Sequence, residues 1–492
     1  MLRHIESPVR SGLRPLLPQR TNWCAQARIV RAMARPRRYG ACRGRVGGLR
    51  RLLGPCTTAD GARVLRASSS ATPIQHVVLV IQENRTFNNF FATYPGADGT
   101  TSGAARRDRQ CHIGKNQTIA LTETGLVDYR DFNHSYQGYR AARNGGKMNG
   151  FDEILASDGR PECTYPYQYV DPSQIRPYWD IAKAYVLAEH MFTTQGSSSF
   201  TGHQDLIAGG TIVAPNEAMV NLPSCSGHTC RWGCDAPPGT HTSLISSTDS
   251  FAPGKGPFPC TNKFASNYPT LRDLLDAKGV SWKYYAPPIC CNTNGRLFTA
   301  FDVIAAVRYG SEWKTNMSSP QTNIFSDITY GKLPAVSWLI PDEPDSDHPG
   351  EKIDTGPSWV ASVVNAIGTS QYWDSTAIVI VWDDWGGLYD NLNPRQVGYG
   401  GLGFRVPALV VSAFAKPGFI STTNYEFGSI LKYIEENWNL GSLGTSDQRA
   451  KSIIDCFDYS QPPLQFTPIP SQYSQTYFIQ RRPSFSPPDT DF

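Results

Sequence analysis

Four oxygen donors stand in two short runs, Glu83-Asn84 and Asp383-Asp384. Carboxylates and an amide are hard ligands, suited to Mg, Ca or Mn and able to hold Zn. Two adjacent aspartates on a sharply turning loop can place both carboxylates on one ion. Gly386-Gly387 follow them and free the backbone to take positive φ. Either pair alone also reads as ordinary turn residues; the combination points to a metal or phosphate site. A third run is Ser197-Ser198-Ser199-Phe200-Thr201-Gly202-His203. A serine at a helix N-terminus sits among free N–H groups at the positive end of the dipole, where anions bind and a hydroxyl is made more acidic. It can equally be a plain N-cap. A helix starting near Ser199 puts His203 four residues on, on the same face. A further acidic run, Pro341 to Pro349, carries Asp347-His348.

Each run follows an apolar segment. Ile74–Ile81 and Thr376–Trp382 precede the two acid pairs, and Leu333–Ile340 precedes the His348 run. Short segments apolar at every position read as buried strands. Val280–Tyr285 and Val406–Ser412 read the same way. Helical spacing is predicted over Tyr178–Phe192, Thr270–Lys278, Pro357–Ile367 and Gly428–Trp438. Alternating strands and helices with fully apolar strands imply an α/β fold, a mostly parallel sheet with helices on both faces. In such sheets, sites lie beyond the carboxyl ends of the strands, where the runs above fall. One domain is expected over 71–492, with a loop-rich, cysteine-bearing insertion at 210–265.

Composition narrows the class. Residues 1–70 hold 15 Arg, no Lys and two acidic residues, so the rest of the 492-residue chain is net acidic although the whole is +4. An acidic globular part argues against nucleic acid as partner. The leader 1–70 is expected to be a mis-called start, a disordered basic tail or a transit segment; it has no apolar stretch of the kind a secretory signal needs. No apolar run approaches the ~20 residues that span a bilayer, so membrane contact is at most peripheral. Twelve cysteines are present, three of them in the leader, and the others form no Cys-x-x-Cys pair. Cys225, Cys230, Cys234 and Cys260 lie in a Pro/Gly/Ser-rich stretch that disulfides can staple, which favours an oxidising compartment.

Six motifs in order carry a family resemblance: Glu83-Asn84-Arg85-Thr86-Phe87-Asn88; His134 with Gly146-Lys147-Met148-Asn149-Gly150-Phe151; Ser199-Phe200-Thr201-Gly202-His203; Asp347-His348-Pro349; Asp383-Asp384-Trp385-Gly386-Gly387-Leu388-Tyr389-Asp390-Asn391; and Gly403-Phe404-Arg405-Val406-Pro407. The chain resembles the bacterial phosphoesterases that include non-haemolytic-type phospholipases C and a type of acid phosphatase, over about 74–468. The resemblance implies a core similar to that of alkaline phosphatases and sulfatases, and a secreted or periplasmic location. It implies that Ser199 is a nucleophile forming a phosphoenzyme. Glu83, Asn84, Asp383 and Asp384 would hold a divalent metal ion that activates the hydroxyl and neutralises phosphate charge. His134, His203 and His348 would donate hydrogen bonds to phosphoryl oxygens or protonate the leaving group.

Three positions depart from the family pattern: Asn88 and Asn149 replace Asp, and Asn391 replaces His. They leave leaving-group handling and substrate choice open. The expected activity is hydrolysis of phosphoric esters, of phospholipase C type on a phospholipid. The alternatives are an acid phosphatase acting on soluble phosphomonoesters and a non-catalytic secreted binding protein. A choline ester would need aromatic faces for its cation, and Trp338, Trp382 and Trp385 lie near the strand exits, where core packing is the other reading.

Overall fold

The computed structural model describes residues 69–106, 109–128, 130–224, 233–261, 268–289, 298–350 and 354–484. The leader, save for positions 69 and 70, and Cys225 and Cys230 lie outside the described residues. An eight-stranded sheet forms the core. Its strands are β1 (His76–Gln82), β2 (Val186–Ala188), β3 (Trp282–Tyr285), β4 (Met317–Ser318), β5 (Val336–Leu339), β6 (Thr376–Trp382), β7 (Ala408–Ser412) and β8 (Phe419–Ser421). The order across the sheet is β4-β3-β5-β1-β6-β7-β2-β8. All neighbours are parallel except those of β7, which runs antiparallel to both β6 and β2. The expected α/β fold with a mostly parallel sheet is what the chain forms.

The central strands explain themselves. β6 is buried at every residue and β1 at all but the first, so neither face meets water and an unbroken apolar run is required. Register then sets the site. Gln82 pairs with Trp382, and Val80 with Leu339. Glu83 and Asp383 therefore leave the sheet side by side, and the β5 exit lies on the next strand over.

The main helices are α1 (Arg176–Ala184), α2 (Ser199–Ala208), α3 (Leu271–Lys278), α4 (Gly356–Gly368), α5 (Phe427–Trp438) and α6 (Gln475–Gln480). Helix α3 is fixed as its sequence predicts: Thr270 and Asp273 form a capping box, and Gly279 ends it at φ 66°. The predicted helix Tyr178–Phe192 is corrected. It ends at Ala184, and Val186–Ala188 enters the central sheet between β7 and β8. Three consecutive fully buried apolar residues fit a covered strand, and tertiary pairing overrides the helical spacing around them.

Residues 212–252 build a four-stranded antiparallel sheet from Ile212–Ala214, Glu217–Val220, Ser243–Ser246 and Phe251–Ala252. The Cys234–Cys260 disulfide closes this region, and Cys111–Cys163 ties a second irregular stretch. Cys456 is a buried free thiol. No helix among the described residues is long and apolar enough to cross a membrane.

Candidate active site

Every candidate from the sequence arrives at one place. Glu83 and Asn84 follow β1, Asp383 and Asp384 follow β6, and His348 lies on the loop after β5. Ser199 and His203 come from the first turns of α2. His134 precedes the helix Tyr136–Arg143. All eight are buried.

The backbone must crowd for this to happen. A Cβ on Gly202 would come 2.4 Å from the Asp383 carbonyl oxygen, so only glycine lets α2 lie against the β6 exit. Gly386 has φ 59°, and a Cβ there would come 2.2 Å from the Asn84 carbonyl oxygen. Trp338 on β5 fixes the far end of α2, donating from Nε1 to the Leu206 carbonyl at 3.0 Å.

Of the three consecutive serines, Ser199 meets the acid cluster. Its Oγ donates to Asp384 Oδ2 at 3.1 Å and lies 3.1 Å from the Asn84 amide. Ser197 Oγ instead accepts from the Asn221 backbone N–H at 2.8 Å. Ser198 is the N-cap residue and makes no side-chain cap bond. Asp384 is itself aimed by the Gly386 N–H, which donates to Oδ1 at 2.8 Å.

Beside this pair lies a second group. One ligand atom each from Glu83, His203 and Asp383 lie within 4.8 Å of one another, all buried. His203 Nε2 is 2.9 Å from Glu83 Oε1 and 3.7 Å from Asp383 Oδ2. Among the described residues, no N–H or hydroxyl group donates to Glu83 Oε2 or Asp383 Oδ2. Burial, with the Asp383 carboxylate next, pushes the Glu83 carboxyl well above its usual range. Burial also lowers His203 to about 4, so the ring is neutral and its nitrogens can act as ligands. Buried carboxylate oxygens with no donor, beside a neutral imidazole, fit a divalent cation. The sequence placed His203 with the phosphate-contacting groups; the structure sets it against Glu83 and Asp383.

Asn84 links the two groups. His134 Nδ1 donates to the Phe132 carbonyl at 2.6 Å, and His348 Nδ1 to that of Pro349. Their Nε2 atoms meet one end of the Asn84 amide at 3.2 and 2.8 Å. Neutral rings offer lone pairs there and take the NH2 end. The Asn84 oxygen then faces Ser199 and the two aspartates, an arrangement that a cation among them stabilises. Protonated rings take the oxygen, and the NH2 end turns to Asp383 Oδ1 at 3.1 Å and Asp384 Oδ1 at 3.3 Å. The amide therefore reports the charge on both sides of it.

The three departures have their own partners. Asn88 exchanges hydrogen bonds with Thr100, Asn149 accepts from Asn144, and Asn391 accepts from Arg405. Trp338, Trp382 and Trp385 are fully buried in the aromatic core. Supporting residues that the sequence did not single out are Gln82, Tyr178 and Phe298. Gln82 and Tyr178 hydrogen-bond Asp347 Oδ2 at 3.2 and 2.5 Å, and the Phe298 ring stacks on His203 with centroids 5.5 Å apart. Gln82 carried a signal, as a polar residue ending an apolar strand; the other two carried none.

The Ser199 hydroxyl thus stands at a helix N-terminus among buried acids, at the carboxyl ends of parallel strands. The chain belongs to the Phosphoesterase family, whose model matches residues 74–441. It is 21% identical over 438 residues to a non-hemolytic phospholipase C of Burkholderia pseudomallei, covering 76% of this chain and 56% of that protein. It is 22% identical over 449 residues to phospholipase C A of Mycobacterium tuberculosis, covering 81% of this chain and 79% of that one. Non-specific phospholipase C6 of Arabidopsis thaliana is 22% identical over 441 residues, covering 81% and 75%. Among solved structures, a protein in the alkaline phosphatase superfamily from Vibrio parahaemolyticus aligns at TM-score 0.33 and 11% identity over 81% of this chain and 77% of that one.

Proposed function

We propose that this chain hydrolyses phosphoric esters in the manner of a phospholipase C, through Ser199. The observation that carries the reading is the Ser199 hydroxyl, held 3.1 Å from both Asp384 Oδ2 and the Asn84 amide at the start of α2. Relatives named phospholipase C support the substrate class. The two disulfides among the described residues support a secreted or periplasmic location, since such bonds persist in oxidising compartments.

The residues divide the work. Ser199 Oγ attacks phosphorus and gives its proton up toward Asp384. The bond to the leaving oxygen breaks, and that oxygen takes a proton from His134 or His348. Water then attacks phosphorus, giving a proton back to the imidazole; the bond from phosphorus to Ser199 Oγ breaks, Oγ recovers its proton from Asp384, and the phosphorylated product leaves. The α2 N–H groups face the charge that builds on the phosphoryl oxygens. Glu83, Asp383 and His203, with Asp384 beside them, would hold a divalent cation; while His134 and His348 carry their protons, Asn84 turns its oxygen to them and its NH2 end to Asp383 and Asp384. When bound, that ion supplies positive charge that acidifies the serine and offsets phosphate charge.

The fully buried Trp338, Trp382 and Trp385 favour a second reading, a phosphatase acting on soluble phosphomonoesters, because none of the three offers a face to a choline cation. The test uses the purified chain with p-nitrophenyl phosphate, bis-p-nitrophenyl phosphate and p-nitrophenylphosphorylcholine, with and without EDTA. Preference for the choline ester supports the phospholipase reading. Preference for the monoester selects the phosphatase. No turnover of any ester with metals restored overturns both and leaves a binding protein.

A further inference from the structure

The loop that carries His348 is gripped by the far end of the chain. Helix α6 lays Phe478 against Trp359 of α4, ring centroids 5.4 Å apart. Arg481 follows and sets its Nη2 between two carboxylates of the loop, Asp342 and Asp345, the latter at 2.5 Å. The Ser484 N–H donates to Asp342 Oδ2 at 3.1 Å. Asp342 and Asp345 are 2% and 1% exposed. Two buried carboxylates on one turn repel each other, and the Arg481 guanidinium between them offsets that repulsion.

The grip continues toward the site. The Asp345 carbonyl accepts from Gln82 Nε2 at 2.9 Å, and Asp345 Oδ1 accepts from Thr355 Oγ1 at 2.7 Å. Two residues on, Asp347 takes φ 72°, and its carbonyl accepts from Arg85 Nε at 2.7 Å. The Glu83 N–H donates to the Ser346 carbonyl at 2.8 Å, and the His348 N–H to Ser346 Oγ at 3.3 Å. The turn 342–348 is thus pinned by Arg481 at one end and by the β1 exit at the other, with the imidazole at its tip.

We propose that Arg481 is a positioning residue for His348: by joining Asp342 and Asp345 it holds the turn so that His348 Nε2 stays against Asn84. This rests on the Ser199 reading above.

The test is a cycle in the full chain: Arg481→Ala, His348→Ala, the double variant, and Arg481→Lys. Turnover of p-nitrophenyl phosphate and bis-p-nitrophenyl phosphate is measured, with hydrogen exchange of segment 342–348. Arg481→Ala is expected to lower kcat about tenfold with KM within about twofold, and Arg481→Lys to recover part of the loss. In the His348→Ala background the same change should alter kcat less than about twofold, because the residue it positions is gone. Equal losses in both backgrounds, or no loss from Arg481→Ala in a folded protein, overturn the proposal. If the unmodified chain turns over no ester, the Ser199 reading fails, and exchange alone decides: about tenfold faster exchange of 342–348 in Arg481→Ala supports the grip, and unchanged exchange overturns it.

Discussion

Ser199 Oγ and Asp384 Oδ2 stand 3.1 Å apart across the gap between a helix N-terminus and the exit of a central strand. The pair joins two parts of the chain 185 residues apart, and both are buried. A serine used only as a cap would turn its oxygen back to its own helix, as Ser452 does on Ile454. Ser199→Ala is expected to lower turnover by about a thousandfold or more, the scale seen when a nucleophile is removed. Ser198→Ala should stay within about threefold. Steady-state rates on the three p-nitrophenyl esters check this, and equal losses from the two variants would place the nucleophile elsewhere.

Glu83, His203 and Asp383 make the case for a bound ion, because among the described residues no N–H or hydroxyl group donates to Glu83 Oε2 or Asp383 Oδ2. Added divalent metal should raise the Tm of the EDTA-stripped chain, since a ligand at 100 Kd stabilises by about 2.7 kcal/mol. Asp383→Asn keeps the shape and removes the charge. That variant should show little metal-dependent rise in Tm and little metal by elemental analysis after gel filtration. A full rise in Asp383→Asn would move the ion away from this cluster.

Much of this site was legible because strand exits are legible. β6 is found at its full predicted extent, and its two aspartates come directly after it. The helical pattern over Thr270–Lys278 is local, and α3 spans Leu271–Lys278 with Thr270 and Gly279 at its ends. What stayed hidden depends on contacts far apart in sequence. Val186–Ala188 is a strand only because β7 and β8 flank it. His203 sits four residues from Ser199 as expected, yet which acid it faces is decided by the β1–β6 register. Arg481 lies 139 residues from Asp342, and nothing local in either stretch pairs them.

Arg405 and Asp390 form a fully buried ion pair with two parallel bonds, Nε to Oδ1 at 2.9 Å and Nη2 to Oδ2 at 3.1 Å. The remaining donors reach the Asp98 and Glu189 carbonyls and Asn391 Oδ1, and the guanidinium lies over Phe87 at 4.5 Å. Removing one partner strands the other charge in the core, which costs about 3–5 kcal/mol. Asp390→Asn keeps the shape and should lose most of that amount in urea unfolding. Asp390→Leu combined with Arg405→Met should recover part of it. A loss below about 1 kcal/mol from Asp390→Asn would mean the pair is hydrated.

The Cys234–Cys260 disulfide closes a loop of 26 residues across the smaller antiparallel sheet. Loop-closure entropy of that length is worth about 3–4 kcal/mol through the unfolded chain. Replacing both cysteines with alanine should therefore lower Tm, while the central sheet and the Ser199 site keep their contacts. Activity below the new Tm should stay within about twofold. Loss of activity in a folded variant would tie this sheet to substrate handling.

Glu435 offers a pH test away from the site. It lies on α5, buried, and its Oε1 accepts from the Leu443 N–H at 3.1 Å. Burial, with the Asp447 carboxylate next, pushes its carboxyl up to about 8, while Lys432 opposes the shift. Against its own burial, hydrogen bonds from Ser442, Thr445 and Gly444 hold Asp447 below its ordinary value, so the neighbour stays charged. The folded chain thus keeps a proton on Glu435 that the unfolded chain releases from about pH 4.5 upward. Its stabilising effect is whole below that point and fades as pH rises to about 8. Glu435→Gln keeps the acceptor for Leu443 and cannot ionise. At pH 9 its Tm should exceed that of the unmodified chain by about 2–4 °C, and at pH 4 the two should coincide. An equal gap at both pH values would show that the folded chain holds the Glu435 proton no more tightly than the unfolded chain does.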